Sequence, residues 1–199
     1  MEKRILEKTG EKLSVVGFGG IVVMNEPVEN AKKIVARAIE RGINYFDVAP
    51  YYGRGLAETR LGEALAGHRQ EVILATKAGR YDKEWPEGFD YSAERIVRSV
   101  EESLRRLRTD YIDVYQIHDV EFAHRQQILG ETLPAMFRLK EQGKVRFVGI
   151  TGYPLQLLRA VAEAADVDTI LSYCRYDLLD TSLDEVLTPF ARAKGIGLI

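Results

Sequence analysis

The sequence has little of several features that would point to particular classes of protein. Its 199 residues include one cysteine, Cys174, so no disulfide can form within the chain. A chain without internal disulfides is typical of a reducing compartment, which predicts a cytoplasmic protein. There are three histidines. Two of them lie in the run His118, Glu121, His124, whose spacing matches no common metal site, so we predict no metal.

The charge and the hydropathy pattern exclude two further classes. The formal net charge is -2, from 28 basic and 30 acidic residues, so the chain lacks the basic surface that binds nucleic acid. No apolar run approaches the ~20 residues that cross a bilayer, and the start, MEKRILEKTGEKL, lacks the apolar segment of a secretory signal. Hydrophobic residues make up 46% of the chain, enough for a folded core. We expect neither a nucleic-acid nor a membrane partner, and either a monomer or a dimer.

Short apolar runs alternate with helical patterns along the whole chain. An opening hairpin, with its turn at Thr9 and Gly10, is followed by the runs VVGFG, INYFDV, VILATK, YIDVYQIH, VRFVGIT, DTILSY and GIGLI. These runs are rich in Val, Ile and aromatics and do not alternate with polar residues, as in strands that are covered on both faces. Strict alternation of strands and helices predicts parallel strands with right-handed crossovers.

The helical segments carry recognisable end signals and apolar faces. Ser92 is placed to cap a helix, and one face of that helix is predicted to hold Ile96, Val97, Val100, Leu104 and Leu107. Ser182 and Glu185 have the spacing of a capping box before a later helix. Glu58 and Arg60 are expected to lie in a solvated first helical turn.

Two α/β architectures fit this alternation, an open doubly wound sheet and an eight-stranded barrel. No G-x-G-x-x-G follows the first strand, because the run Gly17–Gly20 lacks that spacing. Polar residues end successive strands instead, at Asp47, Lys77, His118, Thr151 and Tyr173. In a barrel those strand ends meet at one mouth, where the active sites of this fold lie. We therefore predict an α/β TIM barrel with an N-terminal β-hairpin.

The predicted barrel is incomplete, since about seven strands can be counted and closure requires eight. The sequence stops at Ile199 inside the seventh apolar run. We expect residues 1–199 to form a single barrel domain whose C-terminal part is missing, either as a truncated chain or as part of a longer parent.

Four residues near the predicted mouth have the chemistry of a proton-transfer site. Each of the four could instead be structural. Asp47 could be a loop carboxylate and Tyr52 a packing aromatic, while Lys77 could be a paired lysine and His118 a core histidine. Taken together, an ammonium favours the phenolate form of a nearby tyrosine, a carboxylate keeps the ammonium charged, and a neutral imidazole can hold a substrate oxygen. The set contains no redox carrier, so the second reactant must come from a cofactor or the substrate.

The motifs that contain these four residues resemble those of the aldo-keto reductases. The matching stretches are FDVAPYYG, AETRLGEAL, LATKAG, DYIDVYQIHD and VRFVGITG. Members of that family are barrels that transfer hydride between a nicotinamide cofactor and a carbonyl or alcohol. The resemblance implies that Tyr52 is the general acid/base, that Lys77 tunes it and that Asp47 holds Lys77. It also implies that His118 orients the substrate oxygen, so that Tyr52 and His118 both contact the substrate.

Two further stretches look like one branch of the family, the L-galactose dehydrogenases and aldose 1-dehydrogenases. They are GRYDKEWPEGFDYSAERI and ILSYCRYDLLD. In that branch a sugar hemiacetal is oxidised to a lactone, which implies a small carbonyl or sugar substrate here. Tyr81 and Trp85 are then candidate aromatic platforms for a sugar ring. An equally weighted alternative is a loop that packs on the barrel rim.

The resemblance also implies a cofactor, NADP or NAD. The residues assigned to its site are Gly20, Asp47, Thr151, Gly152 and Tyr173. The usual Ser-Asn pair of the family is Thr151-Gly152 here, and Tyr173 replaces the usual glutamine. Thr151 still offers a hydroxyl, and Tyr173 could stack on the nicotinamide or fill the barrel. The family's pyrophosphate and adenosine contacts follow strands seven and eight, so the residues that select NAD or NADP are expected beyond Ile199.

Two other functions remain compatible with the sequence. Lys77 on a barrel strand could form a Schiff base, as in an aldolase-like lyase, although the Asp47–Tyr52 spacing argues against it. The same barrel could also serve as a cofactor-sensing regulatory subunit with little turnover, as in the potassium-channel β subunits that resemble this family.

Overall fold

Seven short parallel strands form the main sheet of the computed structural model, which describes residues 1–82 and 87–199. The strands are Phe18–Gly19 (β3), Tyr45–Asp47 (β4), Ile73–Ala78 (β5), Ile112–Ile117 (β6), Val145–Gly152 (β7), Thr169–Ser172 (β8) and Gly197–Leu198 (β9). Each strand pairs in parallel with the next strand along the chain. The sheet curls into part of a barrel, so the predicted fold class is confirmed.

Lys3–Ile5 (β1) and Lys12–Ser14 (β2) form a separate antiparallel hairpin. Its turn ends at Gly10, whose φ of 72° lies in the left-handed region that glycine adopts without strain. Leu6 and Leu13 of the hairpin are buried in one apolar cluster with Tyr45, Ala75 and Val114 of the strands. The predicted hairpin and its turn are therefore confirmed.

The helices pack against the outer face of the sheet and bury the larger apolar core between the two layers. They are Val28–Glu40 (α1), Leu56–Ala64 (α2), Ala93–Leu107 (α3), Arg125–Gln127 (α4), Leu133–Glu141 (α5), Leu155–Ala164 (α6), Ser182–Val186 (α7) and Thr188–Lys194 (α8). A π-helical turn, Ile128–Thr132, joins α4 to α5.

Helix α3 begins as predicted but buries a narrower face than predicted. The Ser92 hydroxyl accepts a hydrogen bond from the Arg95 backbone N–H at 3.3 Å, so the predicted cap is confirmed. Val97, however, is 41% exposed. The prediction for Val97 was wrong because adjacent helical residues are about 100° apart, and Ile96 and Val100 already face the sheet.

The predicted capping box at Ser182 and Glu185 is absent from the structure. Helix α7 has no side-chain cap, and the Ser182 backbone N–H donates instead to the Asp180 carboxylate at 2.8 Å. The segment also divides into two short helices, because Pro189 in the first turn of α8 has no N–H to continue the preceding helix.

The described residues contain neither a membrane-spanning helix nor a cluster of metal ligands. None of the helices within residues 1–82 and 87–199 is both long enough and apolar enough to cross a bilayer. In the same ranges, no group of three His, Cys, Asp or Glu side chains is placed to hold a metal ion.

Candidate active site

The carboxyl ends of β4, β5 and β6 bring the predicted polar residues to one place. Asp47 is the last residue of β4, Lys77 lies one residue before the end of β5, and His118 follows β6 directly. Because these strands are parallel neighbours, their carboxyl ends lie side by side. Tyr52 is in the turn that leads from β4 into α2, and its carbonyl accepts the Ala57 N–H at 3.2 Å.

Lys77 is a buried ammonium that is held by Asp47. Its Nζ donates to Asp47 Oδ1, and also to the Val48 carbonyl at 3.0 Å. The Lys77 side chain is 4% exposed, and its Nζ lies 5.4 Å from the centre of the Tyr52 ring. Burial by itself would lower the pKa of Lys77, but Asp47 and then Tyr52 outweigh it and raise that pKa above its usual value. Lys77 is therefore charged at neutral pH.

His118 is a buried, neutral imidazole beside the two tyrosines. Its ring stands edge-on to Tyr51 and Tyr52, with ring centres 5.9 and 6.0 Å apart. Burial, followed by the charges of Lys77 and Arg80, holds the pKa of His118 well below its usual range. A neutral imidazole has one N–H to donate, which suits it to hold a carbonyl or hydroxyl oxygen.

Because His118 is kept neutral in the fold, the protein is expected to lose stability in mild acid. The unfolded chain protonates this histidine near pH ~6.5, whereas the folded chain does not, so the unfolded state binds more protons below that pH. This group alone should lower the free energy of unfolding by ~1.4 kcal/mol for each pH unit below ~6.5, down to its folded pKa. Urea unfolding at several values between about pH 5 and 6.5 measures that slope.

The matched variants for this measurement are His118→Gln and His124→Gln. His124 is exposed and lies outside the cluster, so His124→Gln controls for the loss of one histidine from the chain. His118→Gln should make the unfolding free energy less dependent on pH, by the uptake of about one proton on unfolding. An equal slope in the wild type and His118→Gln would contradict the assignment of His118 as a neutral group.

Asp119 connects His118 to the predicted cofactor residues Thr151 and Tyr173. Its φ of 59° turns the chain sharply after β6, and its backbone N–H donates to the Thr151 hydroxyl at 3.0 Å. The Asp119 carboxylate accepts from Arg80 at 2.7 Å and from the Tyr173 hydroxyl at 3.4 Å. Thr151 and Tyr173 therefore lie beside the four-residue cluster, and Tyr173 is 42% exposed.

The two glycines assigned to the cofactor site also have close packing neighbours. A Cβ on Gly20 would lie 3.0 Å from a methyl group of Val48, and one on Gly152 would lie 2.6 Å from Glu121 Oε2. Close packing therefore favours glycine at both positions. Only their backbone atoms could contact a cofactor, so these two assignments stay predictions.

The structure does not bring Tyr81 to the mouth as a sugar platform. Its ring lies 3.7 Å from the Arg95 guanidinium of α3. Its hydroxyl is buried, and burial raises the pKa of Tyr81. This placement agrees with the alternative prediction, a loop packed on the barrel rim. Trp85, the other predicted platform, lies outside the described residues.

Glu58 is buried, so the expectation of a solvated first turn for it was wrong. Its side chain is fully buried; Oε1 accepts from the Thr76 hydroxyl at 2.6 Å and Oε2 accepts from Arg106 at 2.5 Å. Thr76 precedes Lys77 on β5, and α2 follows Tyr52. Glu58 therefore ties the helix after Tyr52 to the strand that carries Lys77.

Three other residues at the site carry polar contacts that the sequence analysis did not assign. The Tyr45 hydroxyl and the Gln116 amide both donate to Asp47 Oδ2, at 3.0 and 3.1 Å. Arg80 lies 3.9 Å from the centre of the Tyr51 ring while it pairs with Asp119. Tyr45 and Asp47 are two residues apart on one strand, so they share a face, and that spacing was a usable signal.

The chain is similar to proteins of known family along almost its whole length. A sequence model described as "Aldo/keto reductase family" matches residues 16–199. L-galactose dehydrogenase of Arabidopsis thaliana is 46% identical over 209 residues, which cover 100% of this chain and 64% of that protein. D-arabinose 1-dehydrogenase of Saccharomyces cerevisiae is 36% identical over 189 residues, which cover 86% of this chain and 55% of that protein.

The fold is likewise similar to a solved structure. The holo form of aldo-keto reductase AKR11C1 from Bacillus halodurans superposes with a TM-score of 0.87 and 34% identity, and the match covers 100% of this chain and 65% of that one. The chain thus spans less than two thirds of the length of these three relatives.

Proposed function

The chain belongs to the aldo/keto reductase family, and from that premise we propose that it is an NAD(P)-dependent oxidoreductase acting on an aldose or a sugar hemiacetal. The reaction is either reduction of the aldehyde or oxidation of the hemiacetal to a lactone. The family resemblance read from the motifs is confirmed. The similarity to an L-galactose dehydrogenase and a D-arabinose 1-dehydrogenase supports a sugar as the substrate.

The observation that carries the proposal is the contact of Lys77 with Asp47 beside Tyr52 and His118. The Tyr52 hydroxyl holds the proton that is exchanged with the substrate oxygen. The charged Lys77 stabilises the phenolate that Tyr52 becomes when it gives up this proton, and Asp47 keeps Lys77 charged and in place. The N–H of the neutral His118 ring holds the same substrate oxygen, so the proton moves along a fixed direction.

The residues at the mouth fit a nicotinamide cofactor, NADP or NAD. Such a cofactor supplies or accepts the hydride, which no side chain of the cluster can do. Tyr173 is 42% exposed and donates to Asp119, the residue after His118, so its ring can stack on a flat aromatic group. Thr151 is 1% exposed, and its hydroxyl accepts from the Asp119 N–H; its assignment to the cofactor site stays a prediction.

The charge on Lys77 disfavours a Schiff-base lyase. A lysine that attacks a carbonyl must be neutral, and lyases obtain it by lowering the pKa of the amine. Here Asp47 and Tyr52 outweigh burial and raise the pKa of Lys77. The cluster is therefore suited to proton transfer through Tyr52 rather than to covalent attachment at Lys77.

A substrate panel tests the proposed function. We expect kcat/KM to be at least about ten-fold higher for L-galactose, L-fucose or D-arabinose than for simple aromatic aldehydes. The physical reason is that sites which hydrogen-bond hydroxyl groups reject analogues that lack them. The assay follows NADH and NADPH absorbance with the protein as its gene encodes it, and Tyr52→Phe, purified in the same way, gives the background rate.

Two outcomes would contradict the proposal in different ways. Higher kcat/KM for aromatic aldehydes than for the sugars would make the protein a general carbonyl reductase. Cofactor binding without turnover of any substrate in the panel would instead favour the regulatory subunit.

A further inference from the structure

Asp47 makes different contacts with its two carboxylate oxygens. Oδ1 accepts from Lys77, as described above. Oδ2 points to the other side and accepts two hydrogen bonds from inside the barrel, from the Tyr45 hydroxyl at 3.0 Å and from the Gln116 amide at 3.1 Å. The three donors come from β4, β5 and β6, so the carboxylate is fixed from three adjacent strands.

The direction of both inner hydrogen bonds follows from charge. Burial, and then the neighbouring Asp47, raise the pKa of Tyr45 well above its usual value, so its hydroxyl stays protonated and donates. The amide of Gln116 must present Nε2 to Asp47, because the reversed amide would put Oε1 against a carboxylate. Tyr45 is 5% exposed and Gln116 is fully buried, so water does not compete readily for these bonds.

Tyr45 and Gln116 alternate with residues of the outer face, so both lie on the inner face of their strands. Their neighbours Phe46, Tyr115 and Ile117 point to the outer face and join the large helix-covered core. The Tyr45 ring packs in the small apolar cluster with Leu6 and Leu13, and its hydroxyl needs a partner there. A polar amide and a phenol on the inner face would be costly without partners. Asp47 accepts from the Tyr45 hydroxyl and from Gln116 Nε2, whereas Gln116 Oε1 has no hydrogen-bond partner among the described residues. The carboxylate thus links the interior of the barrel to the site at its mouth.

We infer that Tyr45 and Gln116 are positioning residues, which act through Asp47 to hold Lys77 in place beside Tyr52. This inference rests on the proposed function, since it assigns to Asp47 and Lys77 a part in proton transfer. A free carboxylate could rotate about its Cβ–Cγ bond and exchange its oxygens. With Oδ2 held twice, Oδ1 keeps one direction, and the ammonium that it carries stays at one distance from the tyrosine.

A double-mutant cycle tests whether Tyr45 acts through Asp47. Tyr45→Phe is expected to lower kcat about ten-fold, the effect of losing one hydrogen bond to a charged group, while KM stays within about two-fold. In an Asp47→Asn background, the same Tyr45→Phe change should alter the residual kcat by less than about two-fold. Gln116→Met should show the same pattern as Tyr45→Phe: a clear fall in kcat in the wild-type background and a change of less than about two-fold in the Asp47→Asn background. Urea unfolding of the four proteins in each cycle gives a second measurement, in which the two substitutions are expected to have non-additive effects on the free energy of unfolding.

The matched control is Tyr115→Phe. Tyr115 is also a fully buried tyrosine, one residue before Gln116, and its hydroxyl donates to the Ile96 carbonyl at 3.3 Å on the helix side. We expect this variant to unfold at lower urea concentration with kcat within about two-fold of wild type.

The outcomes separate the inference from the proposed function. An equal fall in kcat for Tyr45→Phe and Tyr115→Phe, or the same fall of Tyr45→Phe in both backgrounds, would overturn the inference alone. If the wild-type protein is active, strictly additive effects of Tyr45→Phe and Asp47→Asn on the free energy of unfolding would also overturn the inference. A wild-type protein that turns over no substrate would overturn the proposed function, and with it the catalytic part of this inference.

Discussion

Tyr52→Phe is expected to lower kcat by ~10²–10⁴-fold, because it removes the proton that the proposed reaction exchanges with the substrate oxygen. The ring itself stays, so its edge contact with His118 and its place over Lys77 are kept. Binding of cofactor and substrate should change much less than kcat. The measurement is kcat for an aldose at saturating cofactor, together with the melting temperature to confirm an intact fold.

Tyr51→Phe is the matched control for this experiment. Tyr51 is adjacent to Tyr52, and its ring also stands edge-on to His118, but it packs under the guanidinium of Arg80 rather than beside Lys77. Removal of the Tyr51 hydroxyl should leave kcat within a factor of about three of the wild-type value. A Tyr52→Phe variant that retained a comparable kcat would show that Tyr52 is not the general acid/base.

Asp47→Asn is expected to lower both stability and activity. The change leaves the Lys77 ammonium, which is 4% exposed, without its carboxylate. Removing one partner of a buried ion pair typically costs ~3–5 kcal/mol of unfolding free energy. With the opposing charge gone, burial dominates and the pKa of Lys77 falls, so the pH–rate profile should move as well. Urea unfolding and kcat against pH measure the two effects.

Asp166→Asn makes the same chemical change at an exposed ion pair. Asp166 pairs with Lys8 at 2.5 Å, but its side chain is 95% exposed, and such pairs contribute ~0–1 kcal/mol. Similar unfolding midpoints for the two variants, with an unchanged pH–rate profile for Asp47→Asn, would show that Asp47 and Lys77 are not coupled.

The strands could be predicted from the sequence because their signal is local. Runs such as VILATK and YIDVYQIH are mostly apolar, although the second also holds Asp113 and Gln116, and the polar residues at their ends are out of place in a core. The carboxyl ends of parallel strands then bring Asp47, Lys77 and His118 together without further information. That much of the site follows from topology.

Glu58 could not be found in this way, because what buries it is distant in the sequence. An acidic residue in the first turn of a helix is usually solvated and favoured by the helix dipole. Its burial depends on Arg106, 48 residues later, and on Thr76 of β5. Nothing in the local pattern distinguishes it from Arg60, which lies two residues later and is partly exposed.

Tyr45 and Gln116 were missed for a different reason. Each lies in an apolar run, where a tyrosine ring counts as hydrophobic and a single amide looks like an interruption. Their contacts with Asp47 become visible only when the two faces of each strand are read separately. Tyr81 shows why two alternatives stayed open for the loop after β5, since an aromatic residue near a mouth need not point into it.

The order of the strands has a consequence for how the chain acquires its structure during synthesis. Because every strand of the main sheet pairs with its sequence neighbour, each new strand finds its partner among residues that have already left the ribosome. No pairing has to wait for a distant segment, so the sheet can lengthen by one strand and one helix at a time from its N-terminal side. Ribosome-bound chains halted after β6 are therefore expected to protect the β4 and β5 amides from hydrogen exchange already.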